Sequence, residues 1–144
     1  MLFKKNKYLN TTFYLLIAAF VLIILEMAVP QVRELLSGSE IFLIPFVLFS
    51  GLGVALTVLT LRAKLPKPAR RYLLVTGFAS AGVLIGAVLH NLFYALAIVT
   101  EHLPAVSYIA GILSAGFFII GLLVCPIAYI VGTIGSIVKF IKTK

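Results

Sequence analysis

Two side chains capable of proton or ligand chemistry, Glu26 and His90, fall inside long apolar stretches of this 144-residue chain. An ionisable group within a bilayer span is costly, and by default it marks a functional site. If the helices carrying them are neighbours, a carboxylate and an imidazole can pair, each favouring the charged form of the other. Such a pair would respond to protons. Asn91 adjoins His90 but points about 100° around a helix, so it joins the same centre only if two neighbours flank that helix. A plainer reading stands beside this one: His90 as a hydrogen-bonded packing residue, and Glu26 near enough to the membrane interface to reach water.

Other chemistry finds little foothold. His102 is the only other histidine, next to Glu101. Twelve residues of helix would separate it from His90 by about 18 Å, too far to share an ion. With no H-E-x-x-H and no Cys/His cluster, no metal and no cofactor are expected. Gly51-Leu52-Gly53 lies in an apolar run without a downstream phosphate motif, and no nucleophile motif appears. Cys125 is the sole cysteine, so no intrachain disulfide can form.

Composition identifies the elements that must position these residues. Apolar residues make up 62% of the chain, against 12 basic and 4 acidic residues and a net charge of +8. Soluble domains are about 45–50% apolar and about 25% charged. A chain this short cannot hide such an excess in a core, so a water-soluble globular domain is excluded. A spanning helix needs about 20 mostly apolar residues. Four runs qualify: Thr12 to Val29, Ile41 to Leu61, Tyr72 to Thr100 and Ser107 to Phe140. The fold class is therefore all-α integral membrane, an antiparallel four-transmembrane-helix bundle forming a single membrane domain over residues 1–144. The segments between the runs read as loops. Leu25-Glu26-Met27-Ala28-Val29-Pro30 lacks a small-x-small cleavage site, so the first run is expected to be retained. Pro126 lies within the fourth run and removes a backbone hydrogen bond, so a kink or a break is expected there.

Lys and Arg concentrate on the cytoplasmic side of membranes. Lys4, Lys5, Lys7, Arg62, Lys64, Lys67, Arg70, Arg71, Lys139, Lys142 and Lys144 share one side, leaving Arg33 on the other with Glu34, Glu40 and Glu101. Both termini should be cytoplasmic (N-in/C-in). Glu26 and His90 then lie roughly 6–8 Å to the outer side of their span midpoints. The basic loop of Arg62, Lys64, Lys67, Arg70 and Arg71 chiefly fixes topology. It also attracts anionic inner-leaflet lipid, at about 1 kcal/mol per residue. Ten residues held at a membrane do not suggest a nucleic-acid partner.

Helices in lipid associate over small residues and through interhelical hydrogen bonds. At helical spacing, Ala79, Gly82, Gly86, His90 and Ala97 share one face of the third run. Ala110, Ser114, Gly121, Cys125, Ala128, Gly132 and Gly135 share a face of the fourth, and Ser50, Gly53, Thr57 and Thr60 a face of the second. Gly82, Gly86, Gly121, Gly132 and Gly135 are the packing candidates, within the chain, in a homo-oligomer or in a larger membrane complex.

Val88-Leu89-His90-Asn91-Leu92-Phe93-Tyr94 and the run from Phe117-Phe118-Ile119-Ile120 through Val124-Cys125-Pro126 to Gly132-Thr133-Ile134-Gly135-Ser136-Ile137 resemble uncharacterised small multi-pass membrane proteins of prokaryotes. The resemblance covers about 50 residues. It implies a prokaryotic plasma-membrane protein and no particular activity. A fainter likeness, four spans with a glutamate in the first, is to small multidrug transporters. This chain departs from them in its off-centre Glu26, its greater length, its lack of tryptophan and its strong charge bias. The expectation is a non-catalytic structural, accessory or interaction subunit of a membrane assembly. The alternative is a small proton-coupled transporter or channel component using Glu26 and His90.

Overall fold

A computed structural model describes residues 7–36 and 40–141, and among these the only regular elements are helices. Helix α1 spans Lys7–Ala28 and α2 spans Pro30–Leu36. A 3₁₀ turn over Glu40–Leu43 leads into α3, Ile44–Arg62. Helix α4 spans Lys67–Val99, α5 spans Pro104–Ile119 and α6 spans Cys125–Ile141, the last two joined by a π turn over Ile120–Val124. Four stretches are long and apolar enough to cross a membrane: Lys7–Ala28, Ile41–Arg62, Lys67–Val99 and Pro104–Lys139. These four are candidate membrane-spanning helices by length and composition. Lys4, Lys5, Lys142 and Lys144 lie outside the described residues.

Helices α1, α4 and α5 extend ahead of their apolar runs. Helix α4 starts inside the basic loop at Lys67, because Pro68 presets a helical φ where a missing N–H costs nothing. Pro104 does the same for α5, and α1 already includes Lys7 and Tyr8, both compatible with helix. The segment after α1, expected to be loop, forms α2 from Pro30 onward, again with proline in the first turn and helix-tolerant residues behind it.

Successive long helices run antiparallel, and α4 is the centre. On one side it meets α3. A methyl group built on Gly53 would lie 2.6 Å from Ser80 Cβ and 2.8 Å from Gly77 O, and one on Gly77 would collide with Thr57 Oγ1. On the other side it meets span four. A methyl on Gly86 would lie 2.7 Å from Gly121 Cα, one on Gly82 2.6 Å from Cys125 Sγ, one on Gly132 2.8 Å from the Thr76 backbone nitrogen, and one on Gly135 inside the Tyr72 ring. Helix α1 packs on α3 and closes against α6 through rings. Phe20 lies 4.5 Å from Tyr129 and 5.6 Å from Phe49, and Phe49 lies 4.9 Å from Tyr129, centroid to centroid. These three rings sit among Leu9, Phe13, Leu16, Leu56 and Leu73, the buried core. Outward-facing positions are large and apolar along all four spans.

At Pro126 the chain neither breaks nor continues as plain α-helix. Proline would drive its ring into the carbonyl four residues back. The π turn widens the backbone just ahead of it, so that the Cys125 N–H reaches back five residues to Ile120 O.

Close approach predicts asymmetric tolerance. Gly86→Ala should destabilise by about 1–3 kcal/mol through overpacking. Gly111→Ala, whose added methyl meets nothing within 4 Å, should be within about 0.5 kcal/mol of wild type. Unfolding equilibria in lipid bicelles measure both.

Candidate functional site

Helix α1 turns one stripe inward: Leu9, Phe13, Leu16, Ala19, Ile23 and Glu26 are all buried, at steps of three and four residues. Glu26 is the outermost member of that stripe. It is 2% exposed, and neither carboxyl oxygen has a hydrogen-bond partner. The expectation that Glu26 reaches water is therefore not met: the residue is aimed into the bundle.

His90 sits in the α4–α5 seam, bound to Ser114. Its Nδ1 is 2.9 Å from Ser114 Oγ and 3.0 Å from Ser114 O, and Ser114 Oγ is 3.2 Å from His90 O. The arrangement serves either tautomer. With Nδ1 unprotonated, the Ser114 hydroxyl donates to it. With a proton on Nδ1, the ring donates to Ser114 O and the hydroxyl turns to His90 O. Phe118 and Tyr94 flank the ring at 5.1 and 6.1 Å. His90 is thus a clasp between two helices, and Glu26 has no hydrogen bond to it. Asn91 is exposed and donates its side-chain amide to Ala87 O one turn back, separate from both.

The five packing glycines all lie at helix–helix contacts with α4 as a partner. Cys125 is buried against Gly82. Arg62, Lys64, Lys67, Arg70 and Arg71 are all exposed at the α3–α4 connection. Among the described residues no group of three or more His, Cys, Asp or Glu could hold a metal ion.

The sequence reading missed Ser114 as the partner of His90. Ser107 was missed in the same way: its hydroxyl donates to Ala97 O at 2.9 Å. Both pairs are symmetric about position 102 in the α4–α5 turn, and that symmetry is the signal an antiparallel hairpin offers. It also missed Tyr129, a buried aromatic at the meeting point of α1, α3 and α6.

No protein-family model matches this chain, and neither does any curated protein or solved structure.

Removing the Ser114 hydroxyl should loosen the seam. Ser114→Ala and His90→Ala should each cost about 0.5–1.7 kcal/mol. Together they should cost less than the sum of the two, because each removes the same bond. A double-mutant cycle of unfolding free energies checks this, and full additivity would contradict the clasp.

Proposed function

We propose that this chain is a non-catalytic integral membrane protein of a prokaryotic plasma membrane, a structural or interaction subunit of a larger assembly. One observation carries the reading. The small and polar residues that an active centre would use are spent on holding helices together: Gly53, Gly77, Gly86, Gly121 and Gly132 bring backbones into contact, and His90 is engaged by Ser114. A bundle of this kind is a rigid scaffold. Both termini and the loop of Arg62, Lys64, Lys67, Arg70 and Arg71 lie in the cytoplasm, by the concentration of positive charge there. That loop contacts anionic lipid headgroups.

A second reading, a small proton-coupled transporter or channel component, is favoured by Glu26 alone, the unpartnered carboxyl inside the bundle. It gives His90 no part beyond the clasp.

Reconstitution separates the two. Purified protein in sealed liposomes should carry no flux of H⁺, Na⁺ or K⁺ above protein-free vesicles, while native-membrane nanodiscs should retain a stoichiometric protein partner. Flux that disappears in Glu26→Gln would replace the first reading with the second. The topology has its own test. In a Cys125→Ser background, a cysteine placed at Glu101 should react with an impermeant maleimide on intact cells, and one placed at Ala69 should not. The opposite labelling would invert the orientation.

A further inference from the structure

The spans end together at the basic end of the bundle and not at the other. Thirteen residues inward from the Phe20–Phe49 contact stand Lys7 and Arg62, and eight residues outward stand Ala28 and Ile41. The first two spans are thus flush at both ends. Nine residues outward from the Ser50–Ser80 bond stand Ile41 and Leu89. The outer ends of these spans are therefore level with the His90–Ser114 bond, within about a turn. Helix α4 continues past that level to Val99, about 15 Å farther, and α5 returns beside it from Pro104. Tilting the whole bundle shortens every span alike and keeps this surplus.

The surplus is apolar. Arg71 to Asn91 already covers about 30 Å, the thickness of a hydrocarbon core. Beyond it Leu92, Ile98, Val99, Ile109 and Ile112 are each more than half exposed. Between positions 91 and 113 only Ala110 is buried, and only Glu101 carries a charge. The neighbours of α5 are α4 and the π turn. A helix pair that is apolar all round needs a surface to bury itself against.

One face of this hairpin is distinct. Tyr94 and Phe118, one from each helix, lie against the same His90 ring. Asn91 and Ile98 stand three and four residues from Tyr94. Ala115 and Gly111 stand three and seven before Phe118, with Tyr108 three further back, so all share that face. All are exposed. A methyl on Gly111 would meet nothing within 4 Å, so another backbone can come close there. Asn91 gives one amide hydrogen to Ala87 O, and its oxygen has no partner among the described residues.

We infer that this face docks a second copy of the chain, the two hairpins forming a four-helix bundle about a two-fold axis along the membrane normal. The face carries no charge, so it selects no partner of opposite sign. The Asn91 amide is both donor and acceptor and is complementary to itself. Every copy holds its face at the same height over the same side of the bilayer. Tyr94, Tyr108 and Phe118, at 58%, 72% and 48% exposed, present about 350 Å² at about 200 Å² per ring residue. With Ile98, Asn91 and the backbone over Gly111, the face approaches the about 800 Å² per partner of a stable interface. The pair deepens the reading of an assembly subunit and rests on it only for the membrane setting.

The test is single-molecule photobleaching of the full chain in liposomes, diluted stepwise with lipid. Purified wild type should be dimeric when concentrated and dissociate on dilution. Gly111→Leu adds bulk where the isolated chain is open, so it should fold and raise the dissociation constant at least about tenfold. Asn91→Leu should raise it about tenfold. Leu113→Ala, about 200° around α5 from Gly111, should change it less than about threefold. In a Cys125→Ser background, oxidation should link Asn91→Cys to its counterpart in the second copy, and should not link Leu96→Cys. A monomer at every density would overturn the pair, as would a dimer unmoved by Gly111→Leu or one linked through Leu96→Cys instead. A monomer when pure, with Asn91→Cys linked to a different polypeptide in native membranes, would overturn self-pairing and leave the assembly reading standing. A dimer that retains no other protein from native membranes would support the pair and remove the larger assembly.

Discussion

Everything in this bundle depends on how closely α4 approaches its two neighbours. Apolar surface gains nothing by leaving lipid for protein, so dispersion contacts and hydrogen bonds must hold the helices. Dispersion falls off within a fraction of an ångström. Glycine is the residue that lets backbones come near enough for many such contacts. Gly53 and Gly77 serve the α3 side, and Gly86, Gly121 and Gly132 the span-four side. With both flanks engaged, α4 fixes the azimuth of its neighbours, and α3 in turn sets the place of α1. The Phe20, Phe49 and Tyr129 rings fill the remaining space, where α1, α3 and α6 meet and no glycine seam operates.

Polar groups divide into three kinds of use. Thr57, Thr76, Ser80 and Ser136 return their hydroxyls to the carbonyl one turn back within their own helices. Ser50, Ser107 and Ser114 reach across to another helix, Ser50 to Ser80 O at 3.0 Å. The first use costs nothing in specificity, whereas the second locks a register, because a slip of one residue would part donor from acceptor. Glu26 belongs to neither group, and Thr60, Tyr129 and Thr133 likewise bury a side-chain oxygen without a hydrogen-bond partner.

The spans were legible in sequence because hydropathy over some twenty residues is insensitive to detail. Helix starts were less so: the run of apolar residues says where lipid begins, while the turn chemistry of Pro68 and Pro104 says where the helix begins. Pro126 announced a local defect, but a kink, a break and a π turn all relieve the same clash, and only neighbouring packing selects among them. Glu26 and His90 stood out by type, and their partners did not. Depth along a helix follows from counting residues, whereas azimuth depends on which helices are adjacent, and α1 packs on α3 and closes against α6. The His90–Ser114 bond was latent in the symmetry of the hairpin about position 102. Farther down, Gly82/Cys125 and Gly86/Gly121 are instead symmetric about a point between 103 and 104.

Span four is therefore two segments of unlike character. Helix α6 is keyed to α4 and to the aromatic cluster, whereas α5 buries only Ala110 and Ser114. Free energy of local opening scales with what a segment buries. In the language of amide exchange, α5 should open at lower cost than α6, once the Ser107 and Ser114 bonds to α4 are broken.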